Sequence, residues 1–491
     1  MDETDKLAGT SRSTNWGWAV ALVFAVACLP RFFHLGWESL WFDEAATELY
    51  TRGSAMDACR ANLGDATPPL YFAALAVWRK IAGTGDGALR AYGALWSVAG
   101  LAALWGMASQ FGGRRAGLMA LALGALAPLD IYYAREARPY GQAGALCTLA
   151  TWAWMQWMAA EPGRRRGWLI AAGYGIASAG AMLSHYLAAA VIATHGIIGL
   201  PLLVRSRRWT AVAQLAGGYL LGTVLLAPWL SALFLRNGGL RLDNVQWMPR
   251  PEFLRVAGFP VVDFPYGLGS FSAILTALAF MVFLGLAAVV VSGMMREQDA
   301  GRKRVLGCLL GLVALPVLIV YLPSPVLGKH FYFPGRFSLL VLPPMLAFVG
   351  VGVTGRRGAV LAAAWGAICV AGIVHQFRTA RKTDWREFAR VLTASGVTPR
   401  VLFYPHYNRI VANRYLEKPL PTYRADDFAA DRGRFVSFPV WMVTQKNFPL
   451  ALQPGEIAMR EKVAGFGRGR AIPGPEGLEI REIMVTKKSD Q

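Results

Sequence analysis

Charge is scarce in this chain. Only 16% of its 491 residues are Asp, Glu, Lys or Arg, and 55% are hydrophobic before its 53 glycines are counted. Soluble domains carry about 25% charged residues, so composition excludes an ordinary water-soluble domain and points to an integral membrane protein. Acidic residues are scarcer still: 30 stand against 50 Lys and Arg, a formal net charge of +20. That excess does not build a nucleic-acid groove, because the basic residues fall in short clusters between apolar runs, the positive-inside pattern of membrane topology. There are five cysteines, and all but Cys59 (Cys28, Cys147, Cys308 and Cys369) lie within apolar stretches, as small buried hydrophobes do. Neither a disulfide framework nor a metal cluster is implied. No cleavage site precedes Trp16, so the first apolar run reads as a retained span. No internal repeat is evident, which withholds support from a transporter built of inverted repeats.

What is present is a succession of apolar runs. A span needs roughly 20 mainly apolar residues. Eleven are expected, over about 16–35, 91–111, 116–133, 140–160, 167–183, 185–204, 209–233, 270–293, 305–322, 337–353 and 358–376. Residues 68–83 open with Pro68-Pro69, stay apolar for about ten residues and then meet Arg79 and Lys80. That is short for a span, and it reads as an interfacial or re-entrant helix. With that parity the clusters Arg114-Arg115, Arg164 to Arg166, Arg205 with Arg207-Arg208, Arg296 with Arg302 to Arg304, and Arg356-Arg357 share one side, the cytoplasm. The other side receives the loops 36–90, 134–139, 234–269 and 323–336 and a polar region from about Arg378 onward. That region pairs a helix-like stretch, Asp384 to Ala394, with strand-like runs at Arg400 to Tyr404 and Phe435 to Val443. The expected architecture is an α-helical polytopic membrane domain over 1–377, with juxtamembrane helices in its first external loop, followed by a small external α/β domain over 378–491.

Chemistry-bearing residues gather on the external side. In Trp37-Glu38-Ser39-Leu40-Trp41-Phe42-Asp43-Glu44, two adjacent carboxylates follow a Trp-rich stretch suited to the membrane interface. Neighbours on a helix diverge by about 100°. One of Asp43 and Glu44 therefore faces a site while the other orients it or binds elsewhere, unless both merely cap or solvate an interfacial helix. In Tyr132-Tyr133-Ala134-Arg135-Glu136-Ala137-Arg138-Pro139-Tyr140, two arginines sit at a bilayer boundary, where they are costly unless they snorkel, pair or bind an anion. On the external face, where few basic residues are expected, bidentate phosphate binding by guanidinium stands beside those plainer roles. His185 at a span end, Lys329 and His330, and Arg336 add basic groups on that face. A lone His in an apolar run is more often a satisfied core residue than a ligand. Arg336 is the stronger candidate because it sits at the boundary with Lys329 near.

Five stretches carry a resemblance. Leu40 to Ala45, Pro68 to Tyr71, Arg90 at the start of a span, Arg135 to Tyr140, and Arg336 ahead of Pro343-Pro344 occur in the order seen in C-type glycosyltransferases. Over residues 16–376 the chain resembles the bacterial branch of family 39, related to protein O-mannosyltransferases and to the transferase that places aminoarabinose on lipid A. The resemblance implies a first external loop bearing a catalytic Asp, which falls on Asp43, and a sugar donor linked to polyprenyl phosphate. Pro68-Pro69 then begins the second juxtamembrane helix, which carries Tyr71. Two departures stand out: Thr67 replaces the Lys or His that precedes the Pro-Pro pair in some relatives, and the acidic residue of the lipid A branch is not evident near Arg138-Pro139. Neither protein mannosylation nor lipid A modification is assigned.

The expected activity is transfer of a sugar from a polyprenyl-phosphate carrier to a hydroxyl of a lipid, glycan or protein at the extracytoplasmic face of a bacterial inner membrane. Asp43 serves as base and Glu44 as orienting or substitute carboxylate. Arg135, Arg138 and Arg336 hold phosphate, with Lys329, His330, Tyr71 and His185 as further binding candidates. No Gly-rich nucleotide loop or Asp-x-Asp motif is visible. No obligatory metal or cofactor is expected, although a carboxylate pair beside phosphate offers a divalent ion a place. A transporter or flippase predicts ionisable residues near mid-helix instead of at boundaries. A scaffold predicts a dispensable Asp43, and a lipid-sugar ligase or polymerase shares the donor and differs in product.

Overall fold

The computed structural model describes residues 16–63, 65, 67–239, 251–266, 272–327, 331–379, 382–423, 439–445 and 467–485. Among the described residues, seven helices are long and apolar enough to cross a membrane by length and composition: Asp86–Ala125, Arg164–Ser184, Ala188–Arg205, Trp209–Asn237, Ala273–Arg296, Ala300–Tyr321 and Gly355–Arg378. Trp16–Phe32 and Ser338–Gly352 are shorter apolar helices. The helix Tyr140–Ala159 packs at the centre, burying Gln142, Thr148 and Thr151 along with Trp154 and Trp157. Its polar groups face other helices, which is where a membrane protein places them. The isolated His195 is the satisfied core residue its surroundings suggest, between Thr151 Oγ1 at 3.2 Å and the Tyr174 hydroxyl at 3.3 Å.

One break in the apolar helices falls between the expected runs 91–111 and 116–133, and a second divides the run expected over 116–133. Asp86–Ala125 is two helices merged across Gly113, whose φ of 82° suits a residue without a Cβ and turns the chain beside Arg114-Arg115. The run expected over 116–133 stops at Ala125 and resumes as Pro128–Ala134, with Pro128 opening the new helix. The carbonyls of Gly124 and Ala125 freed by that break are taken by Arg31, fully buried at the end of the first helix. Its remaining donors reach Ala27 O, Ser97 Oγ and, at 2.6 Å, Asp130 Oδ2. A buried cation is tolerable only when paired and hydrogen-bonded in this way.

Residues 68–83 form the helix Leu70–Ala82, 13 residues long, about 20 Å at 1.5 Å per residue. It packs with Phe42–Tyr50 and Ala55–Ala61 in the first long loop. The C-terminal region is α/β as expected. Helix Trp385–Ala394 is capped by the Asp384 carboxylate, which accepts from the N–H groups of Arg386 and Glu387. A five-stranded sheet follows, built from β1 (Arg400–Tyr404), β2 (Thr422–Tyr423), β3 (Val440–Gln445), β4 (Gly467–Ile472) and β5 (Leu478–Val485) in the order β2-β1-β3-β5-β4. β1 runs parallel to β2 and β3, in register Leu402 to Met442, while β5 is antiparallel to β3 and β4.

Among the described residues, the C-terminal region packs its apolar side chains against the first loop. Trp385, Phe388, Phe403 and Trp441 share one buried cluster with Leu40, Tyr71, Phe72 and Leu75 of the first loop. Polar contacts staple the same seam. The Tyr415 hydroxyl donates to Asp86 Oδ2 at 2.7 Å and accepts from Leu40 N–H at 2.6 Å, and Arg386 pairs with Asp86. Arg414 reaches both Asp86 and Glu48, the latter already bound by Arg79 at 3.0 Å.

Candidate active site

Helix Phe42–Tyr50 carries both carboxylates of the first loop, and they part as helical neighbours must. The Asp43 carboxylate, 21% exposed, faces Arg336 at 3.3 Å and Arg138 at 4.0 Å. Arg138 also donates to Thr47 Oγ1 at 3.1 Å, one turn along the helix from Asp43. The Arg336 guanidinium lies 4.6 Å from the Phe333 ring centre, 5.6 Å from that of Tyr140 and 5.7 Å from that of Trp41. Aromatic faces attract a cation without neutralising it, and among the described ion pairs both arginines meet the Asp43 carboxylate.

Glu44 points the other way and is fully buried. Arg90 grips it with both prongs, at 2.8 and 2.7 Å. Lys382 Nζ approaches to 3.0 Å, and the N–H groups of Ala137 and Trp41 complete its shell at 2.9 and 3.3 Å. Burial alone raises a carboxyl's pKa. Arg90 and Lys382 overcome that effect and hold the Glu44 carboxyl well below the usual carboxylate range. Lys382 also lies 3.6 Å from the buried Glu136, so Glu44, Glu136, Arg90 and Lys382 form a charge-balanced quartet. Glu136 is pushed upward by its burial, against the pull of Lys382 and with a further push from Glu44. Through Ala137 N–H the quartet clamps the helix bearing Asp43 to the turn bearing Arg138.

Arg135 does not join Asp43. It donates to the carbonyls of Pro30, Phe33 and His34 at the end of the first helix and lies over Phe377 at 4.5 Å. It thereby caps carbonyls that have no partner within the helix. The expected convergence of three arginines thus reduces to Arg138 and Arg336. His185 is in the cluster, with its ring 5.8 Å from Tyr140 and its Nδ1 accepting from Leu187 N–H at 3.2 Å. Burial, with Arg138 and Arg336 beside it, lowers its pKa to about 3, so the imidazole is neutral. Tyr71 is fully buried against Phe72 and Tyr92, and its hydroxyl feels the charges of Arg138, Glu44 and Glu136. Lys329 and His330 lie outside the described residues.

Around this cluster several buried polar atoms have no hydrogen-bond partner among the described residues: Trp41 Nε1, the Tyr71 and Tyr133 hydroxyls, Glu136 Oε1 and Arg138 Nε. Buried polar groups in native proteins are nearly always paired, so such a concentration marks a place where a polar ligand can supply partners. No group of three or more His, Cys, Asp or Glu side chains able to hold a metal occurs among the described residues.

Glu136, Lys382 and Asp263 were not singled out as site residues from sequence. Lys382 reads there as a polar residue beyond the last span, and nothing local ties it to a site 338 residues earlier. Asp263 carried a signal, being the lone carboxylate in the apolar stretch Phe259 to Tyr266.

These features define a mostly helical, multi-pass membrane protein. The chain superposes on ArnT from Cupriavidus metallidurans in the apo state with a TM-score of 0.60 and 14% identity, covering 95% of this chain and 98% of that one. For ArnT bound to undecaprenyl phosphate the TM-score is 0.61 at 13% identity, with the same coverage. The Archaeoglobus fulgidus oligosaccharyltransferase complexed with Zn and sulfate follows at 0.50 and 10%, covering 94% of this chain and 72% of that one. At such identities the likeness is one of fold. Residues 66–231 match the dolichyl-phosphate-mannose-protein mannosyltransferase family, and no curated protein matches the chain. The resemblance to family 39-like C-type glycosyltransferases, read from the ordered motifs, is therefore upheld.

Proposed function

We propose that this protein transfers a sugar from a polyprenyl-phosphate carrier to an acceptor hydroxyl at the extracytoplasmic surface of the membrane, with Asp43 as the base. The observation that carries the reading is the Asp43 carboxylate held, partly exposed, between Arg138 and Arg336. A base and an anion site adjoin there, and an inverting displacement needs both. The acceptor oxygen attacks the anomeric carbon, the carbon–oxygen bond to phosphate breaks with its electron pair leaving on the phosphate, and Asp43 takes the acceptor proton. Arg138 and Arg336 hold the phosphate throughout, releasing Asp43 from its ion pairs as the anion arrives. Neutral His185 is suited to hydrogen bonding and adds no charge. Glu44 sits too deep to take over as base, so its part is to orient.

That ArnT has been crystallised with undecaprenyl phosphate supports a lipid-phosphate ligand for this fold. No metal enters the scheme, and EDTA should leave the transfer rate unchanged. The decisive experiment compares envelope glycolipids and glycoproteins, by mass spectrometry, from cells carrying wild-type protein or Asp43→Asn. Loss of one glycoform in the variant is expected. Unchanged glycosylation with altered sidedness of a lipid-linked sugar would instead indicate a flippase, and a change in glycan chain length a ligase or polymerase.

A further inference from the structure

We infer that Asp263 is a positioning residue that holds Arg336 against Asp43. Asp263 lies on the short helix Phe259–Tyr266, in the external loop between the helices Trp209–Asn237 and Ala273–Arg296, and has no solvent exposure. Its Oδ2 accepts from Gly335 N–H and from Ser338 Oγ, both at 3.1 Å, and its Oδ1 pairs with Arg255. The two donors bracket Arg336. Gly335 has φ of 82°, a conformation that only glycine adopts readily, so the turn is specific to this backbone path. Ser338 begins the helix Ser338–Gly352 and is also bonded to the Tyr332 hydroxyl at 3.1 Å.

One buried carboxylate therefore ties both sides of the turn from which Arg336 reaches Asp43. Burial of Asp263 is costly unless every lone pair is used, and here its partners are the backbone and side chain on either side of Arg336 together with Arg255. Arg336 has a long flexible side chain whose placement costs rotamer entropy. Fixing its backbone leaves only the side chain to order when a phosphate binds.

The inference rests on the reading of Arg336 as a phosphate-binding group, and a double-mutant cycle separates the two. Affinity for undecaprenyl phosphate is measured on purified full-length protein for wild type, Asp263→Asn, Arg336→Ala and the double variant. Asp263→Asn is expected to weaken binding about tenfold, Arg336→Ala more, and the double variant no more than about twofold beyond Arg336→Ala, because coupled groups do not add. Ser338→Ala should shift affinity in the same direction by less, and it guards against misfolding of the Asp263 variant. Equal losses from Asp263→Asn with and without Arg336 would overturn the inference, as would a lowered melting temperature with unchanged affinity. Unchanged affinity in Arg336→Ala would overturn the reading of Arg336 itself.

Discussion

Asp43 and Glu44 carry the same functional group on consecutive residues, yet their surroundings give them different tasks. Asp43 keeps access to solvent and two arginine partners that a phosphate can capture. Asp43→Asn preserves shape while removing the proposed base, and general-base loss costs on the order of a hundred- to ten-thousandfold in rate. A transfer assay with the variant should show that loss with expression and donor binding nearly intact. Glu44→Gln acts differently, because it leaves Arg90 and Lys382 buried without their carboxylate. Breaking a buried pair typically costs about 3–5 kcal/mol, so a fall in thermal stability should accompany a smaller loss of activity. The acid limb gives an independent check. The folded Glu44 carboxyl titrates below its unfolded value of about 4.3. Its stabilisation is therefore complete above that pH and is lost as pH falls toward the folded value. Wild-type melting temperature should drop on acidification below pH 5, and Glu44→Gln should begin lower and fall less steeply. Full activity in Asp43→Asn with loss in Glu44→Gln would reverse the two roles.

At the scale of elements, the nine-residue helix Phe42–Tyr50 is too short to be stable by itself, since isolated helices below about 12–15 residues are marginal. Its position depends on the quartet at its first turn and on Glu48 at its last, where Arg52, Arg79 and Arg414 converge. Lys382 and Arg414 both come from the C-terminal region. That region is therefore a structural partner of the site, and Lys382→Met should lower kcat and thermal stability together by leaving Glu44 and Glu136 as buried like charges. Lys382→Arg should recover part of both. Wild-type kcat in Lys382→Met would show that Arg90 alone suffices to orient the helix.

For the whole molecule the governing constraint is the bilayer. Helix Leu70–Ala82, at about 20 Å, is shorter than a hydrocarbon core of roughly 30 Å. Treating it as lying along the interface sets the parity of all later helices. Reporter fusions after residue 380 should read extracytoplasmic, and fusions at Gly113 cytoplasmic. A cytoplasmic result after residue 380 would overturn both the parity and the proposed side of the Asp43 site.

Sequence alone determined the membrane class, most of the helical stretches, the divergence of Asp43 and Glu44, and the placing of Arg138 and Arg336 near one boundary. These are local or periodic properties, set by hydropathy and by the 100° step of a helix. The break at Pro128 within the expected run 116–133 came from the structure. Only tertiary structure decided which basic groups meet which carboxylates. Arg135 and Arg138 are three residues apart in a short turn, and nothing in their identity tells that one caps the first helix while the other faces Asp43. The contacts Glu44 to Lys382 and Asp43 to Arg336 span separations of 338 and 293 residues, and the turn that carries Arg336 is fixed by Asp263 from another loop. Such pairings come from how the helices pack and where their loops meet, and a pattern read along one segment holds no record of them.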